Sequence, residues 1–169
     1  MIYLSRYRSP LGEITLSGDE NSLTGLWFDA QAVLPEIPAD ARWCLRENIP
    51  VFSEPLRWLD AYFCGKNPSP SAIPIAPSGT EFRRRVWNLV REIPYGETRT
   101  YGELAEMLGK EIPDGKISPR AVGGAVGHNP LAVIVPCHRV LGKGGKLCGY
   151  AGGLPRKAAL LQIEKSLLV

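Results

Sequence analysis

Apolar positions near the start of the chain alternate with polar ones. Ile14 and Leu16 interleave with Glu13, Thr15 and Ser17. That period of two predicts a strand with one buried face. Ile2, Leu4 and Tyr7 mark a shorter run before it, closed by Ser9-Pro10-Leu11-Gly12. Gly18-Asp19-Glu20-Asn21 has the composition of a turn, and Leu23, Gly25, Leu26, Trp27 and Phe28 form a third apolar run. These segments predict a β-meander. Pro35 and Pro38 break the pattern. The spacing then changes to that of a helix carrying Leu56, Leu59 and Phe63, with Ser53 as its cap and Pro55 in its first turn. Residues Lys66 to Ser78 include Pro68, Pro70, Pro74 and Pro77. They read as an extended linker and a domain boundary.

Helical spacing dominates beyond it. Phe82, Val86, Leu89, Val90 and Ile93 fall on one helical face behind Thr80, a residue suited to N-capping. Thr100 precedes a short helix with Leu104, Ala105 and Leu108, closed by Gly109. Pro119 suits the first turn of a helix from Arg120 to about Gly127. Two short helices joined by a turn outline a helix-turn-helix. Leu131-Ala132-Val133-Ile134-Val135 is a continuous apolar run, read as a buried strand that delivers Pro136-Cys137-His138. Gly142-Lys143-Gly144-Gly145 reads as a hairpin turn and Tyr150-Ala151-Gly152-Gly153 as a flexible loop. A last helix starts near Pro155 and is expected to bury Ala159, Leu160 and Ile163.

Composition is ordinary for a globular chain of 169 residues. No apolar run approaches the ~20 residues needed to span a bilayer, and the N-terminus lacks the layout of a signal peptide. A soluble cytoplasmic protein is expected. Charge changes the picture more. Residues 1–76 carry 6 Lys and Arg against 9 Asp and Glu, whereas residues 77–169 carry 14 against 8. The basic excess lies wholly in the half with the helix-turn-helix outline, which suits either a polyanionic partner or a basic solvated surface. The four cysteines form no C-x-x-C pair, so neither a disulfide framework nor a metal site is expected.

Cys137 carries the candidate chemistry. A thiolate is the reactive form of cysteine, and a neighbouring base lowers the cost of making it. His138 is next in sequence and Glu164 is an acid in the last helix, so a Cys–His–Glu relay is available. Read alone, the pair fits an inert buried cysteine as well.

The longer string Ile134-Val135-Pro136-Cys137-His138-Arg139-Val140 resembles the signature of the O6-alkylguanine-DNA alkyltransferases, the methylated-DNA–protein-cysteine methyltransferases. The resemblance extends in order through Phe82-Arg83-Arg84-Arg85-Val86-Trp87, Ile93-Pro94-Tyr95-Gly96-Glu97-Thr98, Arg120-Ala121-Val122-Gly123-Gly124-Ala125, Asn129-Pro130 and Tyr150-Ala151-Gly152-Gly153. It is close over about residues 78–165 and matches only in layout before that. The resemblance implies an α+β chain. A small N-terminal α/β (ribonuclease H-like) domain, residues 1–76, would precede a helical winged helix-turn-helix domain, residues 77–169, that binds DNA and carries the chemistry.

The resemblance also implies roles. Cys137 would accept an alkyl group from O6 of guanine in double-stranded DNA, irreversibly and without a cofactor. His138 would take the thiol proton through a water, oriented by Glu164. Asn129 would hold the turn between recognition helix and active site. Arg120 would fill the stack vacated by a flipped guanine, and Tyr101 would crowd the adjacent phosphate and bond guanine N3. The carbonyls of Cys137 and Val140 would read the exocyclic amine. The amide of Ala151 would donate to O6, with Tyr150 and Gly152 lining the pocket. Lys157, with Arg156, is expected to contact phosphate or lie at the surface. A monomer is expected. Taken singly, Arg120 also reads as a phosphate contact, Tyr101 as core, Glu164 as a surface acid and Asn129 as a turn former. Between Tyr101 and Arg120 the chain is about five residues longer than typical members, near Glu111 to Lys116. Two other functions share these residues: a damage sensor that binds without transfer, and a cysteine hydrolase using Cys137 and His138.

Overall fold

The computed structural model describes residues 1–31, 33–35, 37–44 and 49–165. The chain divides into two compact units, 1–78 with 130–132, and 79–129 with 133–169. A contiguous split does not provide for the short return of Pro130–Ala132 to the first unit. Among the described residues no helix is long and apolar enough to cross a membrane.

In the first unit, β1 (Tyr3–Ser9), β2 (Gly12–Gly18) and β3 (Leu23–Phe28) form the expected antiparallel meander. A fourth strand, β4 (Arg42–Trp43), adds parallel to β1, giving the order β3-β2-β1-β4. The outer edge of β3 is also covered, because Leu23 bridges Ile75 and Leu26 bridges Leu131. Covering both edges leaves few unpaired backbone groups to recruit another strand. The proline-rich segment is thus partly laid against β3 rather than a free spacer. Strand β2 departs from simple alternation: Thr15 and Ser17 are buried along with Ile14 and Leu16. Their hydroxyls are satisfied locally, Thr15 on Asp29 at 3.4 Å and Ser17 with Thr24 at 3.0 Å. Helix α1 (Ser53–Phe63) buries Pro55, Leu56, Trp58, Leu59 and Tyr62, while Phe63 stacks beside Tyr7. Ser53 is its first helical residue, not its cap.

The second unit is mostly helical. Helix α2 (Glu81–Arg91) starts at Thr80, whose hydroxyl accepts from Arg83 N, and it buries Val86, Trp87 and Val90. Strand β5 (Arg99–Thr100) leads into α3 (Tyr101–Gly109), which Thr100 and Glu103 close with a reciprocal capping box. Helix α4 (Pro119–Gly127) has Ser118 as cap and proline at its first turn. The longer connection between α3 and α4 folds back tightly. A Cβ at Gly109 would lie 2.7 Å from the carbonyl oxygen of Gly115, so glycine is needed for that approach. Trp87 Nε1 donates to Ala125 O at 2.8 Å and pins α2 to α4.

Two expectations fail beyond Asn129. The run Leu131–Val135 is fully buried but is not a strand. Leu131 bridges β3, and Val133 then takes φ 67°, which reverses the chain. A β-branched residue in that region is strained. The apolar run reported burial, and a run of five cannot report a period. Cys137 consequently sits in a 3-10 turn, Cys137–Arg139, ahead of β6 (Val140–Leu141), which pairs parallel with β5. Residues Lys143–Gly145 form another 3-10 turn, with Gly142 N bonded to Lys146 O. The last helix, α5 (Leu154–Ile163), buries Lys157, Leu160 and Leu161, whereas Ala159 and Ile163 are only half-buried.

Candidate active site

Every residue of the site belongs to the second unit. The turn at Val133 aims the chain back past Asn129. Asn129 Nδ2 donates to Val135 O at 2.9 Å and to Cys137 Sγ at 3.1 Å. One amide therefore fixes both the approach to the turn and the sulfur itself. Cys137 is only 6% exposed. Burial pushes its thiol up, while the Asn129 amide and the Lys157 charge oppose that push.

His138 is completely buried and is engaged at Nε2 by Glu164 Oε2 at 2.5 Å. Burial lowers its pKa against the pull of Glu164, which makes the neutral imidazole the resident form. With Nε2 committed to the carboxylate, Nδ1 is the nitrogen that can exchange a proton.

Arg139 completes this group, a role the sequence reading did not assign. Its Nε donates to Glu164 Oε1 at 2.7 Å, a second nitrogen to Oε2 at 3.2 Å, and the third to Ile93 O at 2.7 Å. Such a fork is geometrically selective for a carboxylate. Burial alone would push Glu164 up, but His138 and Arg139 outweigh it and hold the acid at about 2, below the ordinary 4.5. A carboxylate with a depressed folded pKa stabilises the protein fully above its unfolded pKa. That contribution is lost as pH falls through the folded value. Unfolding by denaturant should therefore show stability dropping from about pH 4.5 toward 2. Glu164→Gln should flatten that slope and cost on the order of 3 kcal/mol at neutral pH, because Arg139 is left without its counter-charge. An unchanged slope in the variant would contradict the pairing.

The remaining candidate residues come from α3, α4 and the loop before α5. Tyr101, the first residue of α3, donates its hydroxyl to Cys148 O at 3.2 Å, and burial raises its pKa to about 12. Tyr150 has a buried hydroxyl with no hydrogen-bond partner, and burial raises it well above its ordinary value. Ala151 is half-buried and Gly152 buried, with Gly152 O accepting from Arg156 at 3.3 Å. Gly123 of α4 faces the Tyr101 ring, where a Cβ would sit 3.8 Å away. Arg120, near the start of the same helix, is exposed.

Lys157 overturns its expectation. It is neither a surface residue nor placed to contact phosphate, being 0% exposed. Its ammonium donates to Val140 O at 2.5 Å, Cys148 O at 3.1 Å and Gly149 O at 3.0 Å. A helix position read as a charged outer residue points inward instead, and nothing in the helical spacing reports that.

A buried cysteine held by an amide, next to a buried histidine, carboxylate and arginine, is an arrangement suited to cysteine-based chemistry, on a helix-turn-helix scaffold. Family comparison agrees. Residues 81–166 match the 6-O-methylguanine DNA methyltransferase DNA-binding domain and residues 2–77 the ribonuclease-like domain of the same family. The chain is 48% identical over 165 residues to the methylated-DNA–protein-cysteine methyltransferase of Methanosarcina acetivorans, covering 98% of this chain and 99% of that one. It is 40% identical to the Haemophilus influenzae protein of the same name, covering 97% and 87%. The crystal structure of Mycobacterium tuberculosis OGT in complex with DNA superposes with a TM-score of 0.83 at 41% identity, covering 97% and 93%. The chain belongs to the 6-O-methylguanine DNA methyltransferase family.

Proposed function

We propose that this protein repairs DNA by moving an alkyl group, typically methyl, from O6 of guanine to Cys137, once per molecule and without a cofactor. The observation that carries the reading is the Cys137 sulfur held 3.1 Å from the Asn129 amide, with His138, Glu164 and Arg139 buried behind it. His138 Nδ1 takes the thiol proton through a water. The sulfur attacks the alkyl carbon, the S–C bond forms and the C–O6 bond breaks. The guanine leaves with the electron pair and is protonated. A thioether is a poor leaving group, and no C-x-x-C partner is present to remove it.

The partner is double-stranded DNA carrying O6-alkylguanine. Residues 77–169, which hold the basic excess, supply the binding and the chemistry, and residues 1–76 form the accompanying ribonuclease-like domain. A nucleophile this deeply set cannot reach a stacked base, so the guanine is flipped out. Arg120 enters the gap, Tyr101 crowds the phosphate, and Val140, Tyr150, Ala151 and Gly152 surround the base. The protein acts as a cytoplasmic monomer. Incubation with one equivalent of methylated duplex, followed by mass measurement, should show one added methyl on the Cys137 peptide and no further turnover. Binding with no mass gain would indicate a damage sensor. Many turnovers per molecule would indicate a hydrolase.

A further inference from the structure

Among the described residues of the second unit, Lys157 is the buried charged group that the transfer chemistry above does not use. An ammonium has three protons, and here each meets a backbone carbonyl, of Val140, Cys148 and Gly149. None meets a carboxylate. Removing a cation from water without an opposing anion is expensive. The surrounding charges show where the anion comes from. Glu164 is negative and is matched by Arg139 in a fork. His138, on the turn with Cys137, is neutral, as are Tyr101 on α3 and Tyr150 in the loop before α5. Cys148 contributes its carbonyl, and Arg156 donates to Gly152 O. With Cys137 as a thiol, the buried set Glu164, Arg139 and Lys157 carries one excess positive charge.

We infer that Lys157 is the counter-charge of the Cys137 thiolate, a positioning residue that holds the pocket carbonyls while matching the sulfur anion. The inference rests on Cys137 being the alkyl acceptor. Passing the thiol proton to His138 leaves the net charge of this buried set unchanged but separates charge: the imidazolium shares Glu164 with Arg139, and Lys157 is the buried cation left to match the sulfur. The carbonyl cage gives the ammonium a fixed place without neutralising it, so its field is not quenched before the thiolate forms. Burial pushes the thiol up and the ammonium down, and the two charges each oppose that push on the other.

The test uses iodoacetamide, a small neutral electrophile, on the full chain, with labelling of Cys137 read by peptide mass across neutral to alkaline pH. Lys157→Met should slow labelling about tenfold below the titration midpoint and move that midpoint up by about one unit, since one unit is tenfold in thiolate. Lys157→Arg should recover most of the rate. A purely structural lysine predicts the opposite sign, because a loosened pocket exposes the sulfur and speeds labelling. An unchanged or faster rate in folded Lys157→Met overturns the inference. Should that variant fail to fold, the unmutated protein decides. The rate ratio of anionic iodoacetate to iodoacetamide at Cys137 should exceed the ratio for N-acetylcysteine amide, and an equal or lower ratio overturns it. Methyl transfer from DNA is measured alongside. Transfer without the charge effect removes only this inference, whereas the charge effect without transfer removes the functional reading.

Discussion

Cys137→Ala protein should remove no methyl group from O6-methylguanine DNA, and Cys137→Ser should fail as completely. The serine is the sharper test. It keeps a polar atom for the Asn129 amide, which lies 3.1 Å from the sulfur, and exchanges a single heavy atom. What it loses is the accessible anion, because the reactive form of the cysteine is the thiolate and a hydroxyl ionises far less readily. Duplex affinity should change little in either variant, since phosphate contacts come from basic side chains and Cys137 is only 6% exposed. Truncation to Ala should cost on the order of 1 kcal/mol in stability, the scale of a small buried deletion. Binding retained with transfer abolished separates chemistry from folding. Residual single-turnover transfer in Cys137→Ser above that of buffer would show that the acceptor is another residue.

The parts of the fold legible in the sequence are those written in local chemistry. Thr80, Thr100 and Ser118 each accept a bond from the third backbone amide beyond them; the first two starts were readable from the capping residue, and that of α4 from Pro119 in its first turn. The meander was readable from alternation and turn residues. Strand β4 was not, because two residues pairing with β1 across the sequence leave no periodic trace. The reversal at Val133 was hidden by its own composition: a positive φ is foreseen at glycine or asparagine, not at a β-branched residue. In the site, Asn129 meets Cys137 and His138 meets Glu164, four residues the sequence had singled out. Arg139 and Lys157 show the limit. A charged side chain reads as solvent-facing until its partner is known, and their partners lie 25 and 17 residues away. Residues 32, 36, 45–48 and 166–169 lie outside the described structure, and no site residue falls among them.

Arg120→Ala should slow repair in duplex DNA on the order of 10- to 100-fold at saturating substrate, while reaction with free O6-methylguanine stays near the unmutated rate. Arg120 is exposed in the first turn of α4, where the Ser118 cap and Pro119 fix the helix start. One turn further, Gly123 lies against the Tyr101 ring, so α4 is placed beside that tyrosine. A side chain projecting there can occupy the space a flipped guanine leaves. Flipping costs a few kcal/mol, and about 1.4 kcal/mol is a factor of ten in rate, which sets the expected size. Free base needs no flipping and is spared. Arg120→Lys should fall between, since lysine keeps the charge but lacks the planar group that stacks on bases. A phosphate contact behaves differently: lysine restores function and excess DNA rescues alanine. Single-turnover rates for the three proteins decide between the two. Equal rates at saturation would leave Arg120 as a binding residue and would require another group, Tyr101 foremost, to hold the guanine out of the helix.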